Sequence, residues 1–136
     1  MTKWLGTVFL LCFSVSVYAQ EEKEIIQSIY FGGGSYLIDQ EQLEELYKLI
    51  DGIENLQYYQ ITISSHTDNI GGAAYNQWLS EQRSRAVYQK LVEKQVSKDQ
   101  IIIHNNGQKR PHYDNDTHMG RLANRRVDII FTPIIL

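Results

Sequence analysis

Cysteine is nearly absent from this chain of 136 residues, and the single one, Cys12, lies in an apolar stretch near the amino terminus. Lys3 precedes that stretch, which is too short to span a bilayer comfortably, and Val17-Tyr18-Ala19 offers small residues for cleavage. We therefore expect residues 1–19 to be a secretory signal peptide, with an uncleaved membrane anchor as the alternative. The remaining chain has no cysteine, so an exported protein of this sequence must depend on its hydrophobic core rather than on disulfides.

Positive charge is also scarce, because 13 Lys and Arg residues face 16 Asp and Glu residues and the net charge is −3. Binding to nucleic-acid phosphates needs concentrated Lys and Arg, so nucleic acid is not expected as a partner. The length suits one ordinary domain. We expect a short charged arm over residues 20–27 and one folded domain over residues 28–132.

Motifs for metal, phosphate or catalysis are missing as well. The four histidines do not stand at a metal-binding spacing with a glutamate base, and no cysteine joins them. The run Gly32-Gly33-Gly34 lacks the Gly-Lys-Ser/Thr ending of a phosphate loop, which favours a plain turn. His66 and Asp68 are the one nearby acid–base pair, and their spacing gives no evident substrate geometry. Neither an enzyme nor a cofactor is expected, and a cell-wall hydrolase is kept as a weaker alternative.

Hydrophobic periodicity predicts an α+β domain. Asp39 with Gln42 forms a capping-box pattern at the start of an amphipathic helix that ends near Gly52, and a second helix follows Gly71-Gly72 and ends near Lys94. Alternating or continuous apolar runs predict strands at residues 28–31, 59–63, 101–104 and 126–132. Strands that alternate with helices of this length imply a mixed sheet with the helices packed on one side.

One arginine stands on the wrong face of the second predicted helix. Arg83 lies one turn after Leu79 and one turn before Val87, in the middle of the apolar side. A guanidinium that faces a core is costly unless acceptors meet it, and Asp68, at the carboxyl end of the preceding strand, is the obvious candidate. Either the two groups form a structural ion pair, or they flank a pocket for a ligand that carries both charges. Spacing alone leaves both interpretations open.

Several spaced motifs resemble one known family. Its pattern TD..G...N..LS..R...V is matched by Thr67-Asp68, Gly71, Asn76, Leu79-Ser80, Arg83 and Val87. Its G...P...N.T..GR segment is matched by Gly107, Pro111, Asn115, Thr117, Gly120 and Arg121, and its closing NRRV by residues 124–127. Over residues 28–132 the chain thus resembles the OmpA-like peptidoglycan-binding domain found in the OmpA carboxyl-terminal region, Pal and MotB.

The resemblance implies a βαβαββ sandwich that binds peptidoglycan non-covalently through the diaminopimelate of its stem peptide, in the periplasm or at the outer membrane. In the family, the residues that match Asp68 and Arg83 clasp the free amino-acid end of diaminopimelate. Thr67 and Asn76 would then shape the pocket rim. The loop that begins Phe31-Gly32-Gly33 would form another wall. A module that docks an outer-membrane or envelope protein is the alternative function.

Two further expectations concern the surroundings of this site. Because strand side chains alternate, one of Arg125 and Arg126 should face the site and the other should face away, and the sequence does not decide which. The aromatic residues near the site could stack on sugar, but their spacing fits packing in the core or at its edge better. These residues are Tyr30, Tyr58, Tyr59, Tyr75 and Trp78.

Overall fold

A four-stranded sheet forms the centre of the computed structural model, which describes residues 23–134. Its strands are β1 (Ile25–Tyr30), β2 (Tyr59–Ser65), β3 (Ile101–Asn105) and β4 (Arg126–Pro133). They lie in the order β1-β4-β2-β3. Strand β4 is antiparallel to both β1 and β2, whereas β2 and β3 are parallel. The expected signal peptide lies outside the described residues.

Three α-helices lie between these strands: α1 (Gln40–Gly52), α2 (Ala73–Glu93) and α3 (His118–Asn124). Asp39 caps α1 as its sequence pattern predicts, since its carboxylate accepts the backbone N–H of Gln42 at 2.9 Å. The parallel step from β2 to β3 passes through α2, which is the crossover that such a pair requires. Over residues 23–134, no helix combines the length and the apolar character that crossing a membrane requires.

The core lies between one face of the sheet and the two long helices. Ile61 and Ile63 of β2 and Ile129 and Phe131 of β4 are buried on that face, because alternate residues of a strand point the same way. Leu46 and Ile50 of α1 and Val87 and Leu91 of α2 cover them. The intervening strand residues, among them Thr62, Ser64 and Asp128, lie on the open face and are only partly buried. The predicted α+β class, with helices on one side of a mixed sheet, is confirmed.

Two elements differ from their sequence predictions. Strand β1 begins at Ile25, which pairs with Phe131, so residues 25–27 belong to the sheet rather than to a charged arm. Ile26 pairs with Ile130 on the open face and is 59% exposed, whereas the polar Gln27 pairs with Ile129 of the core face, so the strand lacks a clear alternation of apolar and polar residues. Helix α3 was not predicted, because its seven residues are too few to show helical periodicity. Thr117 caps it by accepting the N–H of Gly120 at 2.9 Å.

Candidate functional site

The turn after β2 carries the TD motif. The N–H of His66 donates to the carbonyl of Arg126, and the N–H of Thr67 donates to the carbonyl of Gly107 at 2.9 Å. These bonds anchor the turn to the segments on both sides of β2. Gly71, at φ +95°, then reverses the chain into α2. Asp68 consequently lies at the carboxyl end of β2, beside the first turns of α2.

A cleft of about 260 Å³ opens at the end of the sheet that contains the carboxyl end of β2. Five of the residues expected at the site from the sequence line it: Gly33, Asp68, Asn76, Arg83 and Arg125. The other four, Phe31, Gly32, Thr67 and Arg126, do not line it. The cleft wall is completed by Gly34, Ile70, Gly71, Tyr75 and Leu79.

Arg83 is 1% exposed, yet it lines the cleft. Its Nε donates to the carbonyl of Ser35 at 2.8 Å, its Nη1 to that of His66 at 3.1 Å and its Nη2 to that of Gly32 at 3.1 Å. The ring of Phe31 lies beneath it, with its centroid 5.0 Å from Cζ. Burial lowers the pKa of Arg83 to about 10, an effect that the carboxylate of Asp68 opposes. The group therefore keeps its charge at neutral pH.

Asp68 pairs with a different arginine. Its Oδ2 accepts the Nε–H of Arg125 at 2.6 Å, and its Oδ1 accepts the N–H of Ile70 at 3.0 Å. Gly33 lies next to the guanidinium of Arg125, since a Cβ on Gly33 would lie 3.5 Å from Cζ of that arginine. Among residues 23–134, Arg83 forms no ion pair with a carboxylate. The ion pair between Asp68 and Arg83 that one interpretation expected is not formed. Both side chains line the cleft, but Asp68 is paired with Arg125, an arrangement that neither interpretation included.

The two arginines of the NRRV motif face opposite ways. Arg125 lines the cleft, whereas Arg126 donates to the Oδ1 of Asp128 at 3.0 Å and lies over the ring of Tyr113. Arg126 was a candidate site residue from the sequence, and the structure places it away from the cleft. Arg125 follows the last residue of α3, whereas Arg126 is the first residue of β4, so the two neighbours belong to different elements.

Asn76 brings an unused acceptor to the cleft. Its Nδ2 donates to the Oε1 of Gln108 at 2.8 Å, while its Oδ1 is buried with no hydrogen-bond partner in the described part of the chain. A buried carbonyl oxygen without a donor is costly, and a bound donor would remove that cost. Thr67 stays in the turn, where its hydroxyl donates to the carbonyl of Asp68.

Tyr75 is the aromatic side chain among the lining residues that the sequence did not assign to the site. It was expected in the core or at its edge together with Trp78, but the two side chains are 44% and 45% exposed. Of the same group, Tyr59 is buried as expected, whereas Tyr30 and Tyr58 are 48% and 50% exposed. The signal that could have identified Tyr75 is its position next to Asn76 in the first turn of α2.

His66 does not form an acid–base pair with Asp68. Its Nε2 lies 3.2 Å from the hydroxyl of Ser64 and 3.8 Å from the Oδ2 of Asp128, on the open face of the sheet. Burial lowers its pKa from 6.5 to about 4, so the imidazole is neutral at physiological pH. Within residues 23–134, no three His, Cys, Asp or Glu side chains are arranged to hold a metal ion.

Comparison with known proteins identifies the family. The sequence profile of the OmpA family matches residues 30–125. The chain is 31% identical over 102 residues to the outer-membrane lipoprotein YfiB of Pseudomonas aeruginosa, which covers 75% of the chain and 61% of that protein. It is 33% identical over 102 residues to the peptidoglycan-binding protein ArfA of Mycobacterium tuberculosis, which covers 75% of the chain and 31% of that protein. The chain thus spans less than two thirds of the length of these relatives.

The fold agrees with the sequence comparison. The peptidoglycan-associated lipoprotein of Burkholderia pseudomallei superposes with a TM-score of 0.71 at 25% identity, over 77% of this chain and 89% of that one. The cell wall anchor of the type VI secretion system of P. aeruginosa superposes with a TM-score of 0.66 at 21% identity, over 81% of this chain and 82% of that one. The profile match over residues 30–125 includes every residue that lines the cleft. The chain belongs to the OmpA family.

Proposed function

We propose that this protein binds peptidoglycan without altering it, by holding the free amino-acid end of diaminopimelate in the cleft between Asp68 and Arg83. The observation that carries the proposal is the burial of the Arg83 guanidinium and the nature of its hydrogen-bond partners. Its charge is buried and its guanidinium is held by three backbone carbonyls. A buried cation without an opposite charge is unfavourable, and a ligand carboxylate would supply that charge.

The remaining donors and acceptors suit a zwitterion. A guanidinium has five N–H donors, so three bonds to carbonyls leave Arg83 two for a ligand carboxylate. The ligand ammonium would lie between the carboxylate of Asp68 and the unpartnered Oδ1 of Asn76. Arg125 adds a second cation to the cleft, so the cleft favours a ligand whose carboxylate is free rather than amidated.

The expected affinity is modest. Each charge-assisted hydrogen bond contributes on the order of 1.5–3 kcal/mol. A few such bonds, after the costs of association, correspond to a dissociation constant of roughly micromolar to millimolar. Modest affinity is sufficient for a cell-wall ligand, because the wall repeats the same stem peptide many times and rebinding follows each release.

The names of the relatives support peptidoglycan as the ligand and a place in the cell envelope. One of them is named a peptidoglycan-binding protein and another an outer-membrane lipoprotein. A solved structure of the same fold is a peptidoglycan-associated lipoprotein. These names describe binding and attachment rather than bond cleavage. We place the protein in the periplasm, at the outer membrane, as a non-enzymatic module.

A titration followed by backbone amide shifts tests the proposal. Stem peptide that contains diaminopimelate should shift the amides of residues 32–35, 68–76 and 125. A matched stem peptide with lysine in place of diaminopimelate keeps the ammonium but lacks the carboxylate that faces Arg83. It should bind at least about tenfold more weakly, which is the loss of one charge-assisted bond. Equal binding of the two peptides would contradict the proposed cleft chemistry. A module that docks only envelope proteins would bind neither peptide.

A further inference from the structure

Three exposed aromatic side chains form a ridge beside the cleft. Tyr75, Trp78 and Tyr36 are 44%, 45% and 41% exposed. The ring centroids of Tyr75 and Trp78 lie 5.8 Å apart at an interplanar angle of 32°. Those of Trp78 and Tyr36 lie 6.0 Å apart at 87°, an edge-to-face contact. We call these three residues the aromatic ridge. It is continuous with the cleft, because Tyr75 belongs to both.

The ridge is held in place by the backbone around it. Gly71, at φ +95°, passes so close to Tyr75 that a Cβ there would stand 3.0 Å from its Cδ1. Gly34, at φ +67°, passes on the hydroxyl side, where a Cβ would stand 3.2 Å from Oη. Both glycines have a conformation that other residues rarely adopt, and both lack the side chain that would displace the ring. The edge-to-face contact with Tyr36 orients Trp78 in turn.

An ordered aromatic surface that stays half exposed needs an explanation. A purely structural role, in which Tyr36 and Trp78 fasten the loop of residues 32–38 to α2, would be served better by burial. Tyr and Trp combine a large apolar face with a polar edge, and they are enriched where a partner offers both kinds of surface. A pyranose ring has that character, because its C–H groups form apolar faces and its hydroxyl groups surround them.

We propose that the aromatic ridge is a carbohydrate subsite, which stacks on the glycan of peptidoglycan while the cleft holds the stem peptide. This inference rests on the proposed function. In a stem peptide, two residues separate diaminopimelate from the amino sugar, and two extended residues span about 7 Å. The ridge begins at the cleft wall and its rings follow at 5.8 and 6.0 Å. A sugar attached to a bound stem peptide is therefore within reach of the ridge.

The test compares two ligands that differ only in the sugar. Calorimetric titrations of the protein would use the diaminopimelate stem peptide and the same peptide attached to its disaccharide. A contact between ring and sugar as strong as one between two aromatic rings, about 0.5–1.5 kcal/mol, corresponds to an affinity roughly 2- to 13-fold higher for the disaccharide peptide. Trp78→Ala should remove that advantage and leave the affinity for the free peptide unchanged, and Trp78→Phe should restore part of it.

Tyr58→Ala is the matched control. Tyr58 is 50% exposed and directly precedes β2, at the opposite end of that strand from Asp68. Its substitution should leave both affinities unchanged. Equal binding of the two ligands by the unaltered protein would overturn the carbohydrate subsite and leave the peptide cleft intact. An equal loss for both ligands in Trp78→Ala would also overturn it, since the residue would then support the loop around Arg83. Failure of both ligands to bind the unaltered protein would overturn the proposed function as well.

Discussion

Asp68→Asn is the most informative single substitution in the cleft. The two side chains have nearly the same shape, and an amide keeps one oxygen for the N–H of Ile70. It loses the negative charge and turns an N–H₂ group toward the Nε of Arg125, which now contacts a carboxylate oxygen at 2.6 Å. The substitution therefore removes the proposed counter-charge of the ligand ammonium with the smallest change in packing.

The expected effects on binding and on stability can be separated. Loss of one charge-assisted hydrogen bond of about 1.5–3 kcal/mol raises the dissociation constant roughly 10- to 150-fold. The Asp68 and Arg125 side chains are 9% and 14% exposed, so their ion pair lies between the surface and the interior. Surface pairs contribute about 0.2–1 kcal/mol and broken buried pairs cost about 3–5 kcal/mol. We expect the unfolding free energy to fall by about 1–3 kcal/mol.

The assay pairs calorimetric titration of the diaminopimelate stem peptide with urea denaturation of the same samples. Asp128→Asn is the control, because Asp128 also pairs with an arginine at 3.0 Å, on the open face away from the cleft. It should cost similar stability and leave the dissociation constant unchanged. An Asp68→Asn protein that is folded and binds within twofold of the unaltered protein would refute the role given to this carboxylate.

Three further outcomes follow from the contacts of other residues. Arg83→Lys keeps the charge but lacks the planar fork, so binding should weaken at least about tenfold and stability should fall by about 1–3 kcal/mol, measured by the same titration and denaturation. The neutral form of His66 is favoured in the folded state, so its stabilising effect is complete above pH 6.5 and is lost as the pH falls toward 4. The unfolding free energy measured with urea should therefore fall by up to about 3 kcal/mol at acid pH, and His66→Gln should abolish this pH dependence. In α3, a Cβ on Gly120 would overlap the carbonyl oxygen of Asp114. Gly120→Ala should therefore lower the unfolding free energy by about 3 kcal/mol without changing the affinity of the cleft for the diaminopimelate stem peptide.

Local sequence patterns predict neither the start of β1 nor the presence of α3. Core strands and the two long helices show their periodicity in the sequence, because each buries a full face against one partner. Strand β1 is an edge strand with a mixed pattern, and its first residue depends on pairing with Phe131, about a hundred residues away. Helix α3 has a cap in Thr117 but too few residues for a recognisable apolar stripe. The bounds of β1 and the formation of α3 depend on contacts with other segments of the chain, which a local sequence pattern does not contain.

Local patterns in the sequence are enough to predict that Arg83 lies on the buried side of α2 and that Asp68 lies in the turn after β2, because helical and strand periodicity are local properties of the chain. Tertiary structure decided what those charges contact. Asp68 meets Arg125, 57 positions later in the chain, and Arg83 meets carbonyls of a loop about 50 positions earlier. It also decided that Tyr75 and Trp78 are 44% and 45% exposed although the loop of residues 32–38 contacts both through Gly34 and Tyr36. Contacts between distant segments depend on how the sheet and helices pack, which no spacing along the sequence records.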